Sequence, residues 1–151
     1  MTIYLGTDHG GFRLKEEVRR QLEDHGYQLR DCGAFELDPA DDYPDFALPL
    51  AKLVAGDTDG RGLLLCRSGG GMVIAANKVV GIRAVLVSSP DEARHARQHN
   101  NANIISIAAD WVDRSELAEI INVFVETPFS QAERHARRLA KIAQYEQSHH
   151  E

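Results

Sequence analysis

Gly62-Leu63-Leu64-Leu65-Cys66-Arg67-Ser68-Gly69-Gly70-Gly71-Met72 runs directly into Val73-Ile74-Ala75-Ala76-Asn77-Lys78. An unbroken apolar run, a glycine cluster and a stretch of helical composition predict a buried strand, a tight turn and a helix. The passage therefore sets a thiol at the end of a strand, beside a glycine-rich turn, where a helix begins. Glycines let backbone N–H groups approach a ligand closely, and a helix start favours negative charge. The same field favours thiolate over thiol, which makes Cys66 a candidate base or nucleophile. A buried cysteine that merely closes a buried strand fits these residues as well. The loop alone leaves both readings open.

Outward from this centre, further short runs at Ile3–Leu5, Gln28–Asp31, Ile82–Val87 and Ile104–Ile107 alternate with helical patterns. Phe12, Leu14, Val18 and Leu22 recur at helical spacing, with Gly26 as the stop. Pro44 opens a second helix that carries Phe46, Leu50, Leu53 and Val54, Met72 to Lys78 a third, and Pro90 to Gln98 a fourth. Asp113 or Ser115 caps a fifth through Val125, and Pro128–Ser130 starts a long sixth that ends near Tyr145. Strand–helix alternation at this spacing predicts an α/β fold: a three-layer αβα sandwich around a five-stranded parallel sheet, Rossmann-like or flavodoxin-like. With no internal repeat or linker, residues 1–151 are expected to form one domain.

The totals narrow the function. A net charge of −6 argues against bulk attraction to nucleic acid. The two cysteines, Cys32 and Cys66, have no ligand spacing around them, so neither a disulfide scaffold nor a structural zinc site is expected. No segment reaches membrane-spanning length and the N-terminus lacks signal-peptide character, which predicts a soluble, cytoplasmic protein. His149-His150 are too few for a purification tag and are expected in a frayed end. Cys32 is assigned to packing or to the surface.

Open parallel sheets collect ligands at the carboxyl ends of their strands. Asp8 and His9 follow the first strand, Cys66 and Ser68 the third, and Ser88-Ser89 the fourth. Asp8 also serves as a plain helix cap, and Asp42 or Tyr43 as a cap or staple for the second helix. His99-Asn100 precede the fifth strand, which puts them at its opposite end unless a neighbouring subunit brings them back. His95 and His99, one turn apart, read by themselves as a solvated helix face. Arg134 and Arg138 share a face at i,i+4, where they can clamp a phosphate or simply be solvated. A cysteine phosphatase loop needs an arginine six residues after the thiol, where this chain has Met72, and Asp8-His9-Gly10-Gly11 is not a dinucleotide fingerprint.

Together these segments resemble the type B ribose-5-phosphate isomerase and galactose-6-phosphate isomerase family. The matching stretches are Gly6–Gly11, Asp42–Ala47, Cys66–Lys78, Gly81–Ala84, Arg97–Asn100 and the pair Arg134 and Arg138, in the family's order. The resemblance implies interconversion of an aldose phosphate and its ketose without metal or organic cofactor. It assigns Cys66 as general base and His99 as ring opener. Asp8 and Asn100 hold hydroxyls, and Ser68 stands at ring opening or proton relay. His9, Arg134 and Arg138 contact phosphate, and Gly69, Gly70 and Gly71 offer N–H groups to the enediolate. Tyr43 and Arg67 are added as substrate-binding candidates. The resemblance further implies a homodimer with the active site between subunits, tetramers being left open. The C-terminal helix, about 128–146, is expected to pack on the partner.

Three positions depart from well-known members: Arg67 replaces Gly, Ser68 replaces Thr, and Asp110 stands where an Arg helps hold phosphate. Either Arg67 substitutes for the missing cation, or Arg67 and Asp110 pair and reshape the pocket for another substrate. The default substrate pair is ribose 5-phosphate and ribulose 5-phosphate. The alternatives are a hexose 6-phosphate or tetrose 4-phosphate, or a non-catalytic sugar-phosphate-binding homologue.

Overall fold

The computed structural model describes residues 1–149. Its strands are β1 (Thr2–Thr7), β2 (Gln28–Asp31), β3 (Arg61–Cys66), β4 (Ala84–Leu86) and β5 (Ile104–Ala108). Its helices are α1 (Phe12–Asp24), α2 (Pro44–Ala55), α3 (Gly70–Ala76), α4 (Pro90–Asn100), α5 (Leu117–Glu126) and α6 (Glu133–Ser148). The strands form one parallel sheet in the order β2-β1-β3-β5-β4. β4 and β5 are exchanged relative to the 2-1-3-4-5 order of flavodoxin-like sheets.

β3 shows why its sequence is apolar throughout. Successive side chains point to opposite faces, and both faces are covered. Leu63 and Leu65 enter one core with Leu14, Val18 and Leu22 of α1, Ala93 and Ala96 of α4, and Ile120 and Phe124 of α5. Leu64 and Cys66 enter the other core with Leu50 and Val54 of α2 and with Met72 and Ala76 of α3. The helix that follows β1 thus lies on one face and the helix that follows β3 on the other. The strand order reverses between these adjacent parallel strands, which opens a crevice beyond their carboxyl ends.

Several boundaries differ from expectation. α3 starts at Gly70, and β4 is confined to Ala84–Leu86. Asp113 caps a turn through Ser115 rather than α5 itself, which begins at Leu117. α6 starts at Glu133, not at Pro128–Ser130, because Gln131 adopts a left-handed φ of 55° that interrupts a helix. The preceding segment is strapped to α4: Ser130 donates to the Gln98 carbonyl, and buried Arg97 donates to those of Thr127 and Ala102. Cys32 is half-buried against the second core and Gly26 ends α1 at a φ of 74°. His149 caps α6 and stacks on Tyr145, while His150 lies outside the described residues. No helix among the described residues is long and apolar enough to cross a membrane.

Candidate active site

Cys66 ends β3 opposite Ala108, the last residue of β5, and is 5% exposed. Gly69 donates its N–H to the Cys66 sulfur at 2.9 Å, and the amides of Ser68 and Met72 also face the sulfur. This turn requires glycine at position 69, whose φ is 79° and where a Cβ would stand 2.3 Å from Leu86. Ser106 on β5 holds the turn from beneath by donating its hydroxyl to the Gly69 carbonyl at 3.0 Å. Gly71 makes room for Tyr43, whose ring atoms lie 2.8–3.0 Å from where its Cβ would be. Burial nevertheless raises the Cys66 pKa above the ordinary thiol value. The amide donors oppose that shift and the Asp8 carboxylate adds to it. The sequence predicts a turn that favours thiolate; in the folded chain desolvation outweighs the turn.

Asp8 is 6% exposed, and one of its oxygens accepts from the Gly10 and Gly11 amides at 2.9 and 3.3 Å. Burial raises its pKa and those amides lower it. It is a helix-start acceptor and a neighbour of the thiol at once, so its two readings in the sequence coexist. His9 is held by Asp41, which accepts from its backbone N–H at 3.1 Å and bonds its ring Nδ1 at 2.5 Å. That bond raises the His9 pKa. Ligand atoms of Asp8, His9 and Asp41 lie within 4.8 Å of one another, but His9 and Asp41 are already spent on each other.

Arg67 extends over Gly10 and donates Nε to Asp110 at 3.1 Å, so these two departures form an ion pair. The pair continues a main-chain seam in which Ala109 and Asp110 donate to the Cys66 and Arg67 carbonyls. With 70% and 42% of its side chains exposed, the pair adds shape to the pocket rather than much stability. His9, Gly10, Arg13, Arg67, Asp110 and Arg114 line a pocket of about 370 Å³ here. Ser68 is exposed beside it.

The remaining candidates lie elsewhere. His99 and Asn100 end α4 before the first residue of β5, whereas Cys66 pairs with its last residue. Four strand steps of about 3.3 Å separate the two levels. At the distant end the rings of His95, His99 and His135 lie against one another, tilted, with centroids 4.0 and 4.2 Å apart. His99 therefore does not lie on a simple solvated helix face. These rings, Asn100 and Arg138 line a groove of about 320 Å³. Burial and the surrounding cations, Arg134 and Arg138 among them, keep His99 and His135 below the usual imidazole pKa. The candidate residues thus fall into two separate groups: Asp8, His9, Tyr43 and Cys66–Gly71 at the carboxyl edge, and His99, Asn100, Arg134 and Arg138 at the amino edge.

The chain matches known proteins along nearly its whole length. The Ribose/Galactose Isomerase family profile matches residues 3–142. The chain belongs to this family. A ribose-5-phosphate isomerase B of Mycolicibacterium paratuberculosis is 46% identical over 149 residues, spanning 99% of this chain and 94% of the relative. Among solved structures, the type B ribose 5-phosphate isomerase of Trypanosoma cruzi has a TM-score of 0.93 at 39% identity, covering 99% of this chain and 100% of that one. The Mycoplasma genitalium ribose-5-phosphate isomerase B with bound ribulose-5-phosphate has a TM-score of 0.92 at 39% identity, covering 97% and 96%. As a member of the ribose/galactose isomerase family the protein is an enzyme, an aldose–ketose isomerase.

Two residues around this candidate site escaped the sequence reading. Ser106 had a signal, since it is the one polar residue in the run Ile104–Ile107. Asp41 had none, because it sits beside Asp38 and Asp42 in a loop whose path only the folded chain reveals.

Proposed function

We propose that the protein interconverts ribose 5-phosphate and ribulose 5-phosphate through an enediolate, in the cytoplasm and without metal or organic cofactor. The Cys66 thiolate removes the proton from C2 of the open-chain aldose, and the electron pair moves into a C1–C2 double bond, leaving negative charge on O1. The N–H groups of Gly70 and Gly71 face that oxygen. A proton passes from O2 to O1 by way of the Ser68 hydroxyl, the thiol returns its proton to C1, and the ketose forms. Asp8 and Tyr43 bind the sugar, and His9 and Arg67 bind its phosphate. A second protomer contributes His99 to open the ring, Asn100 to hold hydroxyls, and Arg134 and Arg138 to clamp the phosphate. Homodimers form this shared site and can associate further into tetramers. The exposed apolar side chains of Leu86 and Trp111 near the thiol, and of Ile142 and Tyr145 on α6, are surfaces that a second copy would cover.

The observation that carries this proposal is the contact between the Gly69 amide and the Cys66 sulfur beside buried Asp8. It supports a reading in which a thiol base and the amides of the following glycines act on one small volume. The Arg67–Asp110 pair favours a second reading, in which the same chemistry acts on a hexose 6-phosphate or tetrose 4-phosphate. Aldose–ketose exchange should be assayed on pentose, hexose and tetrose phosphates with wild type and Cys66→Ala. The expected outcome is a clear preference for ribose 5-phosphate. Cys66→Ala should lower kcat by roughly 10²–10⁴-fold with little change in ligand affinity. Full activity in that variant removes Cys66 from the mechanism, preference for another sugar selects the second reading, and no exchange with any sugar leaves a binding protein.

A further inference from the structure

We propose that Asp41 is the positioning residue of the anion end of this site, holding His9 so that its second ring nitrogen, as an imidazolium N–H, meets the phosphate. The assignment rests on the sugar-phosphate reading above and adds to it a residue and a pH range. Asp41 accepts from the His9 backbone N–H and bonds its ring Nδ1 through one and the same oxygen, which fixes both the main chain and the ring. Its side chain is 11% exposed, and its other oxygen is buried with no hydrogen-bond partner. The carboxylate is therefore little screened by water and is directed at His9 alone.

With Nδ1 committed to Asp41, Nε2 remains as the nitrogen available to the pocket. A neutral ring of that tautomer presents a lone pair and repels an anion; a protonated ring presents a charged donor. The charged groups around His9 are Asp8 on its own loop, Asp41 from the β2–α2 loop and Arg67 from the β3–α3 loop. Arg13 of α1 and Asp110 and Arg114 of the β5–α5 loop complete the pocket wall. Arg67 works against protonation, whereas the Asp41 bond, the largest influence, works for it and prevails. Asp41 thus lets a ring crowded by guanidinium groups keep its charge, and the contact fails only as pH rises through the elevated His9 pKa.

Asp41→Asn tests this, because asparagine can still accept from the backbone N–H while losing the charge. The His9 ring should be titrated by NMR in both full-length proteins, and KM and kcat for ribose 5-phosphate followed from pH 5.5 to 8.5. In Asp41→Asn the His9 pKa is expected to fall, because the bond that raises it loses its charge. KM should then match wild type at low pH and exceed it about tenfold near pH 7.5, with kcat unchanged. In a His9→Gln background, Asp41→Asn should add no further change in KM. An unaltered His9 titration, an equal loss at all pH values, or a full additional loss in the His9→Gln background overturns the proposal. If wild type shows no isomerisation, the sugar-phosphate reading fails separately, and inorganic phosphate binding replaces KM as the readout.

Discussion

Cys66 receives amide N–H groups from the turn that follows it and still holds its proton more tightly than an ordinary thiol. Burial causes this, and the consequence is a pH dependence with a defined sign. If the thiolate is the base, turnover falls as the sulfur is protonated, so kcat should rise with pH through neutrality, approaching tenfold per unit. It should level off only above the ordinary thiol value. Measuring kcat at saturating substrate keeps the His9–phosphate contact out of the result. A plateau that begins well below the ordinary thiol range would show that burial does not govern the sulfur. The thiol's place was legible from an apolar run ending in Cys-Arg-Ser-Gly-Gly-Gly. Its proton affinity was not, because that depends on how completely the Asp8 loop and the helices shut out water.

At the scale of elements, α6 is attached by little apolar contact. Of its residues only His135 is buried, and Ile142 and Tyr145 remain exposed. His135 is clamped between Ser130, at 2.9 Å from Nδ1, and Arg134, whose Nε donates to Nε2. That donation requires an unprotonated Nε2. His135 and His99 have pKa values below the unfolded imidazole value, so the unfolded chain binds more protons as pH falls below about 6.5. The stabilisation is complete above that pH and is lost on acidification towards the depressed pKa. Hydrogen exchange, corrected for its intrinsic pH dependence, should show α6 losing protection between pH 7.5 and 5 while α1 keeps it. Equal behaviour of the two helices would exclude the histidine cluster as the fastening. Helical periodicity revealed that α6 exists; its start at Glu133 and its fastening by His135 depend on contacts with α4 that periodicity does not encode.

For the whole molecule, the parallel sheet separates the two groups of candidate residues. His99 lies beyond the amino edge of β5 and Cys66 opposite its carboxyl edge, so one chain does not bring these two candidates together. If two copies complete each other, Cys66→Ala and His99→Asn are each impaired alone but complementary together. After equimolar mixing under conditions that exchange subunits, half the dimers are hybrids, each with one intact site. Activity should recover to about a quarter of wild type. No recovery, with exchange verified by mass, would mean that His99 acts in its own chain or not at all.

The sequence by itself determined the strand–helix alternation, the burial of β3 on both faces, the amide turn at Cys66 and the separation of His99 from it. All of these follow from local periodicity, glycine conformation and chain direction, which neighbouring residues encode. Only the tertiary structure decided the exchanged order of β4 and β5, the Arg67–Asp110 pair, the hold of Asp41 on His9 and the raised pKa of the thiol. Each of these depends on which distant segments meet and how much water they exclude, and charge and desolvation act through space rather than along the chain.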